Sequence, residues 1–172
     1  MIAPLLVFGW GNLSRGDDAL GPLFVLRLRE RLGAAQTRVD FLDDYQLQVE
    51  HALDLRGRER VLFVDCSVRC AAPFEVTALE PARDATFTTH AMSPAAVLHV
   101  YREMEHREPP PCTVLEIHGE RFELGTEPSG AALAALESAV DWGERWVRGA
   151  VTAGEGEEPP VLRGVQQVVK VG

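Results

Sequence analysis

Short, continuous apolar runs separated by amphipathic stretches limit what this chain can fold into. Leu5-Leu6-Val7-Phe8 and Val61-Leu62-Phe63-Val64 contain no polar residue, which suits strands buried on both faces of a parallel sheet. From Ala19 onward, Leu20, Leu23, Phe24, Leu26, Leu28 and Leu32 recur at near-helical spacing among Arg27, Arg29, Glu30 and Arg31, until Gly33 stops them. That is the pattern of an amphipathic helix. Val39 to Leu42 predicts a further strand, Leu47 to Leu55 a helical stretch, Phe74 to Leu79 a shorter alternating strand, and Val114 to Ile117 another strand. Ser93-Pro94 supplies an N-cap followed by proline at the first helical position, predicting a helix over Ala95 to Met104, and Ala131 to Val147 reads as a long last helix. Strand and helix alternate, so the expected class is α/β.

At 172 residues, 46% of them hydrophobic, the chain can bury a single core without disulfide or metal staples. One domain over residues 1–150 is expected. Gly154-Glu155-Gly156-Glu157-Glu158-Pro159-Pro160 reads as a flexible, solvated linker, which makes 151–172 a linker and C-terminal tail, the tail itself either a packed strand or disordered. The balance of 17 basic against 26 acidic residues gives a formal charge of −9 with no concentrated basic stretch, which argues against nucleic acid as a partner. Cys66, Cys70 and Cys112 show no paired metal-type spacing, and the N-terminal residues run into Gly and Asp too early for a signal peptide. The apolar runs fall far short of the roughly 20 residues that cross a bilayer. A reduced, cytoplasmic protein with no membrane partner is expected.

Three loops carry residues able to do chemistry. Gly9-Trp10-Gly11-Asn12-Leu13-Ser14-Arg15-Gly16-Asp17-Asp18 lies between the first strand and the first helix, and in open α/β sheets ligands bind beyond the carboxyl ends of strands. Its glycines resemble a dinucleotide fingerprint, but the third glycine is missing and two carboxylates at the helix start would repel a pyrophosphate. A carboxylate there is stabilised in its charged form, so Asp17 or Asp18 can serve as an ionised ligand for a cation while the other caps the helix. Asp65 directly follows a buried strand and must meet a cation, a donor or solvent. His90 stands in a loop just ahead of a helix start. Two carboxylates and an imidazole from different loops are the usual composition of a metal site with open positions. His51, His99, His106 and His118 sit within helical or strand patterns and read as structural, as do all three cysteines.

The segment Gly9 to Gly21 (GWGNLSRGDDALG), the strand ending in Asp65, and His90 ahead of a Leu-rich helix resemble, in that order, the maturation peptidases of nickel-iron hydrogenases. The likeness runs from about Leu5 to about Val147. Asp43-Asp44-Tyr45-Gln46-Leu47-Gln48-Val49-Glu50-His51-Ala52-Leu53 is similar to the branch that serves soluble, cofactor-reducing hydrogenases. The resemblance implies a three-layer αβα, phosphorylase/hydrolase-like fold around a twisted, mainly parallel five-stranded sheet. It implies Asp18, Asp65 and His90 as metal-contacting and catalytic residues, with Asp17, Asp43 and Asn12 as accessory residues at the cleft. Many members carry a glycine-rich turn where this chain has Asp43-Asp44-Tyr45-Gln46, so a differently shaped substrate groove is expected there.

The activity implied is that of a monomeric endopeptidase that removes the C-terminal extension of a nickel-loaded hydrogenase large-subunit precursor. Neither a serine or cysteine triad nor an HExxH motif is visible in the sequence. The nickel is therefore expected to arrive with the precursor, and no organic cofactor is expected. Two other readings stay open at this stage: a non-catalytic nickel-site checkpoint or chaperone that binds the precursor, and a small-ligand-binding α/β domain. Fold alone does not separate them.

Overall fold

The apolar runs pair side by side in one five-stranded sheet. In the computed structural model, which describes residues 1–34, 36–84 and 91–152 (the last three by backbone alone), the strands are β1 (Leu5–Trp10), β2 (Val39–Asp44), β3 (Arg60–Ser67), β4 (Phe74–Leu79) and β5 (Cys112–His118). The helices are α1 (Leu20–Leu32), α2 (Pro94–Glu105) and α3 (Gly130–Thr152). Spatial order is β2-β1-β3-β5-β4. β1 is parallel to β2 and β3, and β3 to β5, while β4 joins the edge antiparallel to β5. The mainly parallel α/β sheet expected from the apolar runs is the one found.

Alternation along each strand sends successive side chains to opposite faces. Leu5, Val7, Leu62, Val64, Leu115 and Ile117 pack with Phe24 and Leu28 of α1 and Leu136 and Trp142 of α3. Leu6, Phe8, Val61 and Phe63 pack on the other face with Leu55 and with Val97, Leu98 and Tyr101 of α2. Each such side chain, fully buried, contributes about 1.5–3 kcal/mol. The result is the three-layer αβα arrangement.

Two features position the site. The connection from β1 leads to β2 on one side, whereas β3 lies on the other side of β1, so the strand order reverses between β1 and β3. This switch point opens a crevice at the carboxyl ends of those strands. Gly9 and Gly21 let the start of α1 lie directly on that edge: a Cβ on Gly9 would stand 2.2 Å from the Gly21 carbonyl oxygen, and one on Gly21 would stand 2.3 Å from that of Trp10.

The stretch expected as a helix around Leu47 to Leu55 is a 3-10 helix, Val49–Leu55. The Gln48 backbone N–H donates to His51 Nδ1 at 2.8 Å, a hook that tightens the first turn. Ser93 caps α2 as the sequence predicts, its hydroxyl accepting from the Ala96 N–H at 3.1 Å. α3 runs on to Thr152, past the boundary placed at residue 150. The predicted linker and tail, from residue 153 onward, lie outside the described residues.

Candidate active site

Asp18 leaves β1 through a tight turn and sits in a 3-10 helix, Gly16–Ala19. Gly11 makes the turn feasible. Its φ is +149°, which side chains rarely adopt, and a Cβ there would meet the Asp18 carbonyl oxygen at 1.9 Å. The partly exposed Asp18 carboxylate accepts from the Asn12 backbone N–H at 2.9 Å.

Asp65 ends the buried part of β3 and is partly exposed. Burial pushes its carboxyl up to about 7, opposed by a 2.8 Å hydrogen bond from the Cys66 N–H and reinforced by the negative charges of Asp18 and Glu116. Glu116 is its register partner on β5, and Glu75 of β4 stands opposite Glu116 in turn, so three carboxylates cross one face of the sheet. Burial, then the charge of Glu75, raises Glu116 as well. Carboxylates that repel one another at a protected strand end suit a cation, because a divalent charge removes the repulsion that burial magnifies. The donor set of Asp18 and Asp65 therefore fits a hard or borderline divalent metal.

His90 lies outside the described residues. The chain just beyond it is docked, with the Met92 N–H donating to the Leu47 carbonyl at 3.1 Å. Among the described residues no three His, Cys, Asp or Glu side chains are grouped as a metal site.

Asp17 and Asp18 have opposite environments, and neither side chain caps a helix. α1 begins after Ala19, and neither it nor the preceding 3-10 helix has a side-chain cap. Asp17 is fully buried and accepts from the backbone N–H groups of Glu120 (2.8 Å), Arg121 (3.0 Å) and Ser129 (2.6 Å) and from the Ser129 hydroxyl (3.0 Å). Burial alone raises its carboxyl, but the bonds from Glu120, Ser129 and Arg121 outweigh it and hold the group below the ordinary carboxylate range. Asp17 thus ties the loop after β5 and the entry to α3 onto the turn that carries Asp18.

Asn12 is buried and belongs to that turn: its Oδ1 accepts from the Ser14 N–H at 2.8 Å and its Nδ2 donates to the Tyr45 hydroxyl. Asp43 is exposed at the end of edge strand β2, beside Gly9, and makes no hydrogen bond or ion pair among the described residues.

Three contacts of the site go beyond what the sequence motifs indicate. Glu116 was detectable as a charge inside the apolar run Val114-Leu115-Glu116-Ile117, although only the register shows that it stands beside Asp65. Asp44 pairs with His51 Nε2 at 3.0 Å, and Tyr45 reaches Asn12 across 33 residues of chain. An open groove of about 410 Å³ continues along the same loop, lined by Gln46, Gln48, Val49, Glu50 and Met92.

His118 and His99 have structural partners. His118 Nδ1 lies 2.9 Å from the Cys70 carbonyl and His99 Nε2 accepts from Arg83 at 3.1 Å. Burial pushes the Cys70 and Cys112 thiols up to about 12, and Cys66 is raised by burial and then by the neighbouring Asp65, so none is poised as a thiolate.

No protein-family model and no curated protein sequence matches the chain. Solved structures do. The hydrogenase maturating endopeptidase HybD from E. coli superposes with a TM-score of 0.67 at 24% identity, over 85% of this chain and 93% of that one. The NiFe hydrogenase maturation protease HycI from Thermococcus kodakarensis gives 0.65 at 20% identity, over 85% and 93%. A hydrogenase 2 maturation peptidase from a Thaumarchaeota archaeon gives 0.57 at 25% identity, over 80% and 93%. Over most of its length, the chain has the fold of the NiFe hydrogenase maturation proteases.

Proposed function

We propose that this chain is an endopeptidase that removes the C-terminal extension of a nickel-iron hydrogenase large-subunit precursor once nickel is in place. The observation that carries the proposal is the placement of two acids, Asp18 in the turn after β1 and Asp65 at the end of β3, on the two strands that flank the switch point. Such a pair is poor at holding a neutral peptide and good at receiving a cation.

The metal belongs to the substrate. Asp18, Asp65 and His90 are the residues assigned to contact nickel held by the precursor, and binding displaces the proton that Asp65 retains near neutral pH. Only a loaded precursor relieves the carboxylate repulsion, which makes docking conditional on nickel. Docking holds the scissile peptide beside the site, converting its hydrolysis into a positioned reaction. The groove from Gln46 to Met92 gives the extended segment somewhere to lie. Asp17 keeps the loop that bears Asp18 in place, and Asp43, exposed at the end of β2, is the accessory acid. Held by Asp18, Asp65 and His90, the precursor's nickel would serve as the recognition element, and the chemistry it could add there is Lewis acidity.

The proposal places the enzyme in the cytoplasm as a monomer. Its three cysteines are free thiols, and no helix among the described residues is long and apolar enough to cross a membrane. The test is processing of cognate precursor by Asp18→Asn and His90→Ala variants. Each is expected to lose at least about 100-fold in rate, in line with loss of a transition-state contact worth about 3 kcal/mol. Wild-type rates in both variants would contradict the assignment.

A further inference from the structure

The loop between β2 and the 3-10 helix at 49–55 touches both chain segments that bear on the proposed site. On one side, the Tyr45 hydroxyl accepts from Asn12 Nδ2. The Asn12 Oδ1 is engaged at the same time by the Ser14 N–H at 2.8 Å. With both ends of its carboxamide held, Asn12 fixes the turn after β1, and its own backbone N–H is aimed at Asp18 Oδ2, 2.9 Å away. On the other side, the Leu47 carbonyl accepts from the Met92 N–H at 3.1 Å.

The loop is itself pinned. Asp44 accepts from the Tyr45 N–H at 2.6 Å through Oδ1 and pairs with His51 Nε2 at 3.0 Å through Oδ2. His51 Nδ1 accepts from the Gln48 N–H at 2.8 Å, so the neutral imidazole carries its proton on Nε2 and donates to Asp44. Tyr45 is 64% exposed whereas Asn12 is 7% exposed. Removing the tyrosine hydroxyl therefore costs little packing, yet it leaves the buried Asn12 amide without its partner.

We propose that Tyr45 is a positioning residue for Asp18. Its hydroxyl, acting through Asn12, holds the Asp18 carboxylate in the orientation that receives a divalent cation. This rests on the assignment of Asp18 and Asp65 as cation ligands. Groups that orient metal ligands from behind typically account for 10–100-fold in affinity. Tyr45 acts one hydrogen bond further away, so a loss of about five- to tenfold is expected.

The experiment measures Zn²⁺ affinity of the full chain by titration calorimetry, alongside Tm, for wild type, Asp18→Asn, Tyr45→Phe and Leu53→Ala. Leu53 is an exposed residue of the 3-10 helix that touches neither Asn12 nor Tyr45 in any described hydrogen bond, and it serves as the control. Expected are loss of binding in Asp18→Asn, about five- to tenfold weaker binding in Tyr45→Phe with Tm within about 2 °C of wild type, and unchanged affinity in Leu53→Ala. Wild-type affinity in Tyr45→Phe, with binding lost in Asp18→Asn, overturns the positioning role and leaves the ligand assignment standing. A fall in Tm that accompanies the fall in affinity makes Tyr45 a general structural brace and also overturns the proposal. No Zn²⁺ binding by wild type, or full binding by Asp18→Asn, removes the ligand assignment and the positioning role with it.

Discussion

Ser129 donates two hydrogen bonds to Asp17, from its backbone N–H at 2.6 Å and its hydroxyl at 3.0 Å. A loop 112 residues away in sequence is thereby fastened to the acid that precedes Asp18. Asp17→Ala leaves the N–H groups of Glu120, Arg121 and Ser129 without their acceptor, and is expected to lose about 2–4 kcal/mol, the cost of leaving one or two such donors unsatisfied. Asp18→Asn is expected to stay within about 1 kcal/mol of wild type. Urea unfolding of the two variants measures the difference between these adjacent acids.

Asp17 also sets an acid limit. Its folded-state pKa is depressed below the unfolded value near 3.8, so its contribution is complete above that value and is lost as pH falls through the lower, folded one. Wild type should lose stability below about pH 4 more steeply than Asp17→Asn, as read by Tm against pH.

Asp65 acts in the opposite sense. Its folded pKa is raised to about 7 from an unfolded 3.8, so the native state keeps a proton that the unfolded state has released. Stability from this group is complete below about pH 4 and falls as pH rises to about 7. Asp65→Asn removes the slope, and at pH 8 it should exceed wild type by on the order of 2–4 kcal/mol while binding no cation. A variant more stable but inactive marks a group kept for function rather than for folding.

Much of the architecture was visible in advance because burial on both faces leaves strands no polar positions: Leu5 to Phe8 and Val61 to Val64 identify the sheet centre by themselves. Asp65 was equally legible, as a charge at the end of such a run. The partition of roles between Asp17 and Asp18 was not. It depends on N–H groups of Glu120, Arg121 and Ser129, which reach Asp17 only through the folded loop after β5. The Tyr45–Asn12 pair was hidden for the same reason, since local patterns carry no information on partners 33 residues away, and the Asp44–His51 pair depends on the turn between them folding back. The 3-10 geometry at Val49–Leu55 also escaped the apolar pattern, because a helical stripe over two turns does not distinguish 3.0 from 3.6 residues per turn.

Gly21 allows α1 to sit on the β1 edge, with its would-be Cβ 2.3 Å from the Trp10 carbonyl oxygen and 2.9 Å from that of Val64. Gly21→Ala must push the helix start away from the switch point, at a cost of about 1–3 kcal/mol or more. Because Asp18 moves with it, Zn²⁺ affinity should fall together with Tm. Calorimetry on the variant tests whether the close helix–strand approach and the site geometry are one feature.

Nickel-gated cleavage is read from the mass of the large-subunit precursor after incubation with the purified protein, comparing nickel-loaded with nickel-free precursor. One discrete C-terminal peptide is expected to be released, from the loaded form alone. A loaded, cognate precursor that binds the protein and keeps its full mass would contradict it.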